Sequence, residues 1–283
     1  MLKSILYNTL KVLFTAVLVY FIYSKLKNID FSAVPYSNLS LSIVPVLILY
    51  FISKFFSMQR LWEVQKLHTL STPYSYHLRI YLLGMFYNIF LPGGIGGDTY
   101  KAYRMNKDFN SSLKLIGTIL LVDRGIGFMS ILVHLLAIYL LNLEYSLLIL
   151  LGGVATYISY FLFLQRLSFT SPLIEICSLL SQAFQIGIVY LLMYSLQIDL
   201  NESGYVLLFL LSSIAGMLPL SIGGLGIRES VMLAGAPILH LSLEYAVLIG
   251  FLFYLITLLS SIPGFILHLY NHFINLKNYA GNY

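Results

Sequence analysis

Apolar runs long enough to cross a bilayer succeed one another along this chain with only short connectors, and that succession decides what it can fold into. The runs fall at about 5–23, 40–58, 78–96, 113–141, 146–164, 172–196, 204–222 and 244–269, and a spanning helix needs roughly 17–25 apolar residues. Inside lipid every backbone N–H and C=O must be satisfied within the chain, so such runs become helices. The longest polar interval, about Gln59 to His77, is well below the roughly 40 residues under which a domain needs staples. Charged residues make up 10% of the chain, against roughly 25% in soluble domains. The expectation is one all-α polytopic membrane domain over residues 1–283, with about six to eight membrane segments. The first run is expected to be a retained span, because it exceeds the usual apolar region of a signal peptide and no small-x-small site precedes Lys25.

Two of these runs are broken in the same way. Leu91-Pro92-Gly93-Gly94-Ile95-Gly96-Gly97-Asp98 recurs 127 residues later as Leu218-Pro219-Leu220-Ser221-Ile222-Gly223-Gly224-Leu225-Gly226. A basic residue follows at the same offset, Lys101 against Arg228. Proline removes a backbone donor and glycine frees the chain, so a helix stops at each place. Broken helices at matching positions of two halves point to a transporter's binding site. The halves are expected at about 40–141 and about 172–270.

Charge sets a topology. If 78–96 crossed the bilayer, the basic stretches at Arg60 to Arg79 and Lys101 to Lys114 would lie on opposite sides, against the positive-inside rule. A segment that enters from the cytoplasm, turns at Pro92 to Gly97 and returns keeps both inside. Irregular backbone at that depth is tolerated where protein or a wet cavity covers it. With 204–222 re-entrant from the other side, only Lys25, Lys27 and Arg228 face out, Lys11 and Lys54 being assigned to the nearer ends of their spans. The two repeats are then inverted, each with a re-entrant segment. The N-terminus is cytoplasmic. The net charge of +5 therefore reads as orientation of a membrane protein and not as nucleic-acid binding.

The candidate site residues follow from these breaks. Gly93, Gly94, Gly96 and Gly97 can turn successive N–H groups toward one point, with Asp98 opening a helix and Lys101 and Arg104 adding charge; such an array suits an anion such as a phosphate headgroup. The same glycines equally suit a plain turn, with Asp98 as a helix cap. In the second copy Ser221, Gly223, Gly224, Arg228 and Glu229 offer a similar arrangement, in which Glu229 holds the arginine or caps the next half-helix. Asp123 and Arg124 interrupt an otherwise apolar span, at a cost of ~2.5–3.5 kcal/mol each on insertion scales. Neighbours on a helix diverge by about 100°, so each needs its own partner, in a functional site or in a pair that locks the bundle. Glu175, Gln182 and Gln185 read as interhelix hydrogen-bond glue. No metal or cofactor is expected: His134 and His240 stand alone, Cys177 is single, and no nucleotide-binding GxxxxGK[ST] occurs. Any energy for movement would come from an ion gradient, the lipid gradient or a partner.

The motif Asn88 to Asp98, the intramembrane Asp123-Arg124-Gly125 and the late Pro219 to Glu229 together resemble the lysylphosphatidylglycerol synthase transmembrane-region family, also described as flippase-like. The resemblance covers nearly the whole chain. It implies a membrane part that moves or presents lipids, in some members fused to a domain that aminoacylates phosphatidylglycerol and in others joined to glycosyltransferases. These 283 residues hold no such domain, which argues against aminoacyl transfer by the chain itself. Lys101 stands where an arginine is expected, keeping the charge but not the planar fork. By resemblance, Asp98, Asp123, Arg124, Arg228 and Glu229 carry over as site residues. The expected function is a lipid translocase that binds an anionic headgroup between two inverted repeats, in a prokaryotic cytoplasmic membrane. The alternatives are the membrane part of a lipid-modifying transferase with a separate catalytic partner, or a scaffold for a cell-envelope synthase.

Overall fold

The computed structural model describes residues 36–90, 95–141, 170–217 and 226–280, with a few single positions between 20 and 27 and between 158 and 166. The expected spans at 5–23 and 146–164 lie almost entirely outside the described residues, as do the break residues 91–94 and 218–225. The described secondary structure is helical: α1 Tyr36–Leu67, α2 Tyr74–Phe90, α3 Gly96–Phe109, α4 Leu113–Leu141, α5 Pro172–Ser195, α6 Gly204–Gly216, α7 Ile227–Gly235, α8 Leu243–Ser260 and α9 Ile262–Ala280. Four stretches are long and apolar enough to cross a membrane: Asn38–Leu67, Leu113–Tyr139, Pro172–Ser195 and Leu243–Asn271. The chain is an all-α polytopic membrane protein.

Helix α1 shows how such a protein is built. Its exposed large residues Leu41, Val44, Ile48, Phe51 and Phe55 form one stripe at helical spacing, the face left for lipid. Its opposite stripe is buried and partly polar, with Tyr50, Ser53, Arg60 and Gln65. This polar inner face corrects one expectation. The helix was expected to end near residue 58 with Arg60 in a connector, yet it continues to Leu67 because Arg60 and Gln65 point into protein. It stops where Thr69 turns left-handed (φ 61°) and the Leu70 N–H donates to Gln65 O at 2.9 Å, a Schellman closure. Helix α5 lies antiparallel along α1 through a serine seam. Ser42 Oγ meets Ser195 Oγ at 2.5 Å, Ser57 Oγ meets Ser181 Oγ at 2.6 Å, and Gln185 Nε2 donates to Ser53 Oγ at 3.2 Å. Small hydroxylated residues let two backbones approach, and their hydrogen bonds hold helices together in lipid.

On either side of each break the chain doubles back on itself. Near the first tip the Tyr87 and Tyr100 rings stack at 4.2 Å, and at the far end Tyr76 Oη donates to Asp108 Oδ2 at 2.8 Å. Helices α2 and α3 are thus an antiparallel pair. They touch backbone to backbone: a Cβ on Gly97 would stand 2.3 Å from Gly84 O. Helices α6 and α7 repeat the plan. Close to the second tip Arg228 packs on Ser213 and Gly216, farther out Gly235 meets Leu208, and at the open end the Ser242 N–H donates to Tyr205 Oη at 3.1 Å. Helix α7 opens at Gly226, whose φ of 85° suits only glycine, and its N–H donates to Glu229 Oε2 at 2.9 Å. After α7 a turn closes at His240, φ 56°.

Each hairpin has its own core. Buried residues of α6, α7 and α8 pack with the N-terminal half of α1 and the C-terminal half of α5 around Tyr205, Phe209 and Phe253. A second cluster joins α2, α3 and α4 to the other end of α1 around Leu61, Ile80, Met105 and Ile119.

Candidate functional site

Arg124, near the middle of α4, connects the two hairpin tips. Its Nε donates to Asp98 Oδ2 at 2.5 Å, just after the first break. Its Nη1 reaches the carbonyl of Met217 at 3.4 Å, just before the second. Met217 closes α6, where the last carbonyls have no helical partner, so an arginine fork finds an acceptor there. Lys101, one turn along α3, donates to Asp98 Oδ1 at 2.8 Å. Burial pushes the Asp98 carboxyl up, but Lys101 and Arg124 together outweigh it and hold it down to about 2. Asp98 is therefore an ionised bridge between two cations. It does not cap α3, since both oxygens are spent on side chains.

Beside this bridge is a cavity of about 130 Å³, well above the ~10–15 Å³ that one water requires. Its walls are Lys54 and Tyr50 from α1, Tyr81 and Asn88 from α2, Gly97, Asp98 and Lys101 from α3, Arg124 from α4, and Thr257 and Ser260 from α8. Three cations against one carboxylate, with neutral hydroxyl and amide groups beside them, leave the walls with an excess of positive charge, a chemistry that suits an anion. Gly84 and Gly97 allow this geometry. A Cβ on Gly84 would meet Lys101 Cε at 2.8 Å, so the lysine passes close over the bare backbone of α2 on its way to Asp98.

The residues singled out from sequence are not all gathered here. Gly97, Asp98, Lys101 and Arg124 line the cavity, and Gly96 begins the helix that carries the first three. Gly93, Gly94, Ser221, Gly223 and Gly224 lie outside the described residues. Arg104 points to the other face of α3, pairs with Asp108 at 3.0 Å, and lines a separate crevice of about 410 Å³ with Arg79, Tyr87 and His268. Asp123 takes Arg60 of α1 as its partner, Nε to Oδ1 at 2.7 Å and Nη2 to Oδ2 at 3.2 Å, while Arg60 Nη1 donates to Ser178 Oγ at 3.0 Å. Asp123 and Arg124 diverge as helical neighbours must, and the Arg60–Asp123 pair ties α1, α4 and α5. Gly127 makes room for it, since a Cβ there would stand 3.0 Å from Arg60 Nη1. Arg228 stands behind the cavity wall, its guanidinium 5.1 Å from the Phe253 ring, which meets lining residue Tyr50 edge-on at 5.8 Å. Glu229 does not hold Arg228; it caps α7 through Gly226. Among the described residues no group of His, Cys, Asp and Glu is placed to hold a metal.

Sequence reasoning missed Lys54 and Arg60. From sequence Arg60 reads as a connector residue and Lys54 as a span end, although a lysine in the run Phe51 to Phe56 carries the same signal of an intramembrane charge that drew attention to Asp123.

Comparisons with curated proteins and with solved structures gave no match. The family described as "Lysylphosphatidylglycerol synthase TM region" matches residues 8–174 and 171–264. The chain, an integral membrane protein with lipid-related kin, belongs to the lysylphosphatidylglycerol synthase TM region family.

Proposed function

We propose that this protein is a flippase-like lipid translocase that takes an anionic, phosphate-bearing headgroup into the cavity beside Arg124, walled by the first broken hairpin and by α1, α4 and α8. One observation carries the reading: Arg124 reaches Asp98 at the first tip and the Met217 carbonyl at the second, beside a cavity that also holds Lys54 and Lys101. A phosphate competing for Arg124 and Lys101 would loosen both from Asp98 and uncouple the two tips. Binding and rearrangement are then one event, since the ligand's interactions replace those holding the resting state. The similar build of the hairpins, with Leu-Pro and Ile-Gly-Gly at both breaks, supports two inverted repeats that enter the membrane from opposite sides. The charge distribution favours a cytoplasmic N-terminus. The test is reconstitution into liposomes with a fluorescent anionic phospholipid and a membrane-impermeant quencher. Wild-type protein makes the inner-leaflet label accessible, and Arg124→Ala abolishes the gain; an Arg124→Ala protein as fast as wild type would sink the proposal. Product formation from a lipid and an activated donor by the purified chain would favour a transferase instead.

A further inference from the structure

Resting on the headgroup reading above, the charge balance of the cavity narrows the class of headgroup. Its walls carry Lys54, Lys101 and Arg124 against the single carboxylate of Asp98, an excess of two positive charges. Asp98 is fully used, one oxygen on Lys101 and the other on Arg124. Lys54 has no carboxylate within 4 Å among the described residues, and its ammonium faces the ring of Tyr50 at 4.9 Å. A ring face is a weak substitute for a counter-ion, and a charge set in a membrane helix calls for a partner or a wet cavity. We infer that the cavity is matched to a headgroup bearing at least two negative charges, a phosphomonoester or a diphosphate, and that Lys54 is the residue that selects it over singly charged phosphodiester lipids.

The geometry fits the number of acceptors as well as the charge. The three cations come from three helices, Lys54 from α1, Lys101 from α3 and Arg124 from α4, and so approach a central anion from different sides. A phosphomonoester presents three terminal oxygens and about −1.5 to −2 charge at neutral pH, one oxygen for each cation. A phosphodiester has two free oxygens and one charge, and leaves a cation uncompensated in a partly desolvated site. A zwitterionic headgroup brings its own ammonium toward three others. Lysine, a compact point charge on a flexible stem, suits a freely rotating phosphate, and Lys54 is the cation that can meet it without first giving up Asp98.

The experiment uses the full chain in phosphatidylcholine nanodiscs, with lipid retention read by native mass spectrometry. The probes are phosphatidic acid, phosphatidylglycerol and phosphatidylcholine with the same acyl chains. Wild type should retain phosphatidic acid about tenfold or more over phosphatidylglycerol, the scale of one charge-assisted hydrogen bond. Lys54→Gln should bring that ratio close to one, and Lys54→Arg should keep most of it. Equal retention of the two anionic lipids by wild type, or an unchanged ratio in Lys54→Gln, overturns the inference while leaving headgroup binding intact. Retention of neither anionic lipid above phosphatidylcholine overturns the proposed function itself. Two competitors separate the sources of the dianion. An isoprenyl diphosphate that displaces phosphatidic acid supports the diphosphate form, and inorganic phosphate that does so at low millimolar concentration supports recognition of the phosphate group without its lipid. Heat-induced labelling of buried Cys177 checks that the variants are folded.

Discussion

Replacing Gly97 by alanine tests whether the first hairpin depends on backbone contact at its tip. The added Cβ would lie 2.3 Å from Gly84 O, 3.0 Å from Gly84 C and 3.2 Å from Asn88 Cβ. Two of these neighbours are backbone, so α2 and α3 must separate by about 1 Å to restore ordinary contact, and overpacking of this kind costs about 1–3 kcal/mol. For a chain of this size that corresponds to a melting shift of roughly 2–12 °C. The single cysteine provides the assay, because Cys177 is 2% exposed and reacts with a thiol-sensitive dye only as the bundle opens. Gly187→Ala is the control, since its Cβ would meet nothing within 4 Å; there the helix gains about 0.5–1 kcal/mol. Gly97→Ala should melt below wild type and Gly187→Ala at or slightly above it. Gly97→Ala melting at or above wild type would refute the close approach of α2 and α3.

Three further outcomes follow from the same geometry. Arg60→Ala should cost about 3–5 kcal/mol by leaving Asp123 buried and unpaired, and a combined Arg60→Met, Asp123→Leu protein should lose less than the two single changes together, as a double-mutant cycle on Cys177 labelling will show. Glu229→Ala should cost about 0.5–2 kcal/mol through loss of the α7 cap, whereas Glu229→Gln keeps an acceptor for the Gly226 N–H and should melt near wild type. Asp98, outside the four spanning stretches, has its carboxyl held below its ordinary value of 3.8, at about 2. A depressed folded value gives stability that is complete above the ordinary value and lost as pH falls through the folded one. Melting in acid should therefore show the Asp98 contribution unchanged from pH 8 to 5 and declining only between about 4 and 2, with Asp98→Asn removing that dependence.

Membrane character and the α4, α5 and α8 spans were readable from residue types alone, because bilayer thickness acts locally; the doubling back at each break needed the distribution of basic residues as well as the Pro-Gly signature. Other features depend on what a side chain meets across the fold. The polar tail of α1 looked like a connector because nothing local tells Arg60 that Asp123 and Ser178 wait inside the bundle. Lys54 reads as a span end for the same reason, since its place in the cavity depends on α3 and α4 bringing Asp98, Lys101 and Arg124 together. Arg104 looked like a partner of Lys101 from spacing, three residues apart, yet the α2 contact turns Lys101 inward and leaves Arg104 on the opposite side with Asp108. Asp123 and Arg124 could be separated from sequence, since adjacent helical residues diverge; which residue each would choose could not.

The most direct test of the account is where a bound headgroup phosphate sits. An experimental structure of the full chain in nanodiscs containing an anionic phospholipid should place a phosphate among Lys54, Lys101 and Arg124, within hydrogen-bonding distance of at least two of them, with the Arg124–Asp98 contact loosened. A phosphate bound elsewhere, with Asp98 still bridging Lys101 and Arg124 and the cavity empty, would contradict it.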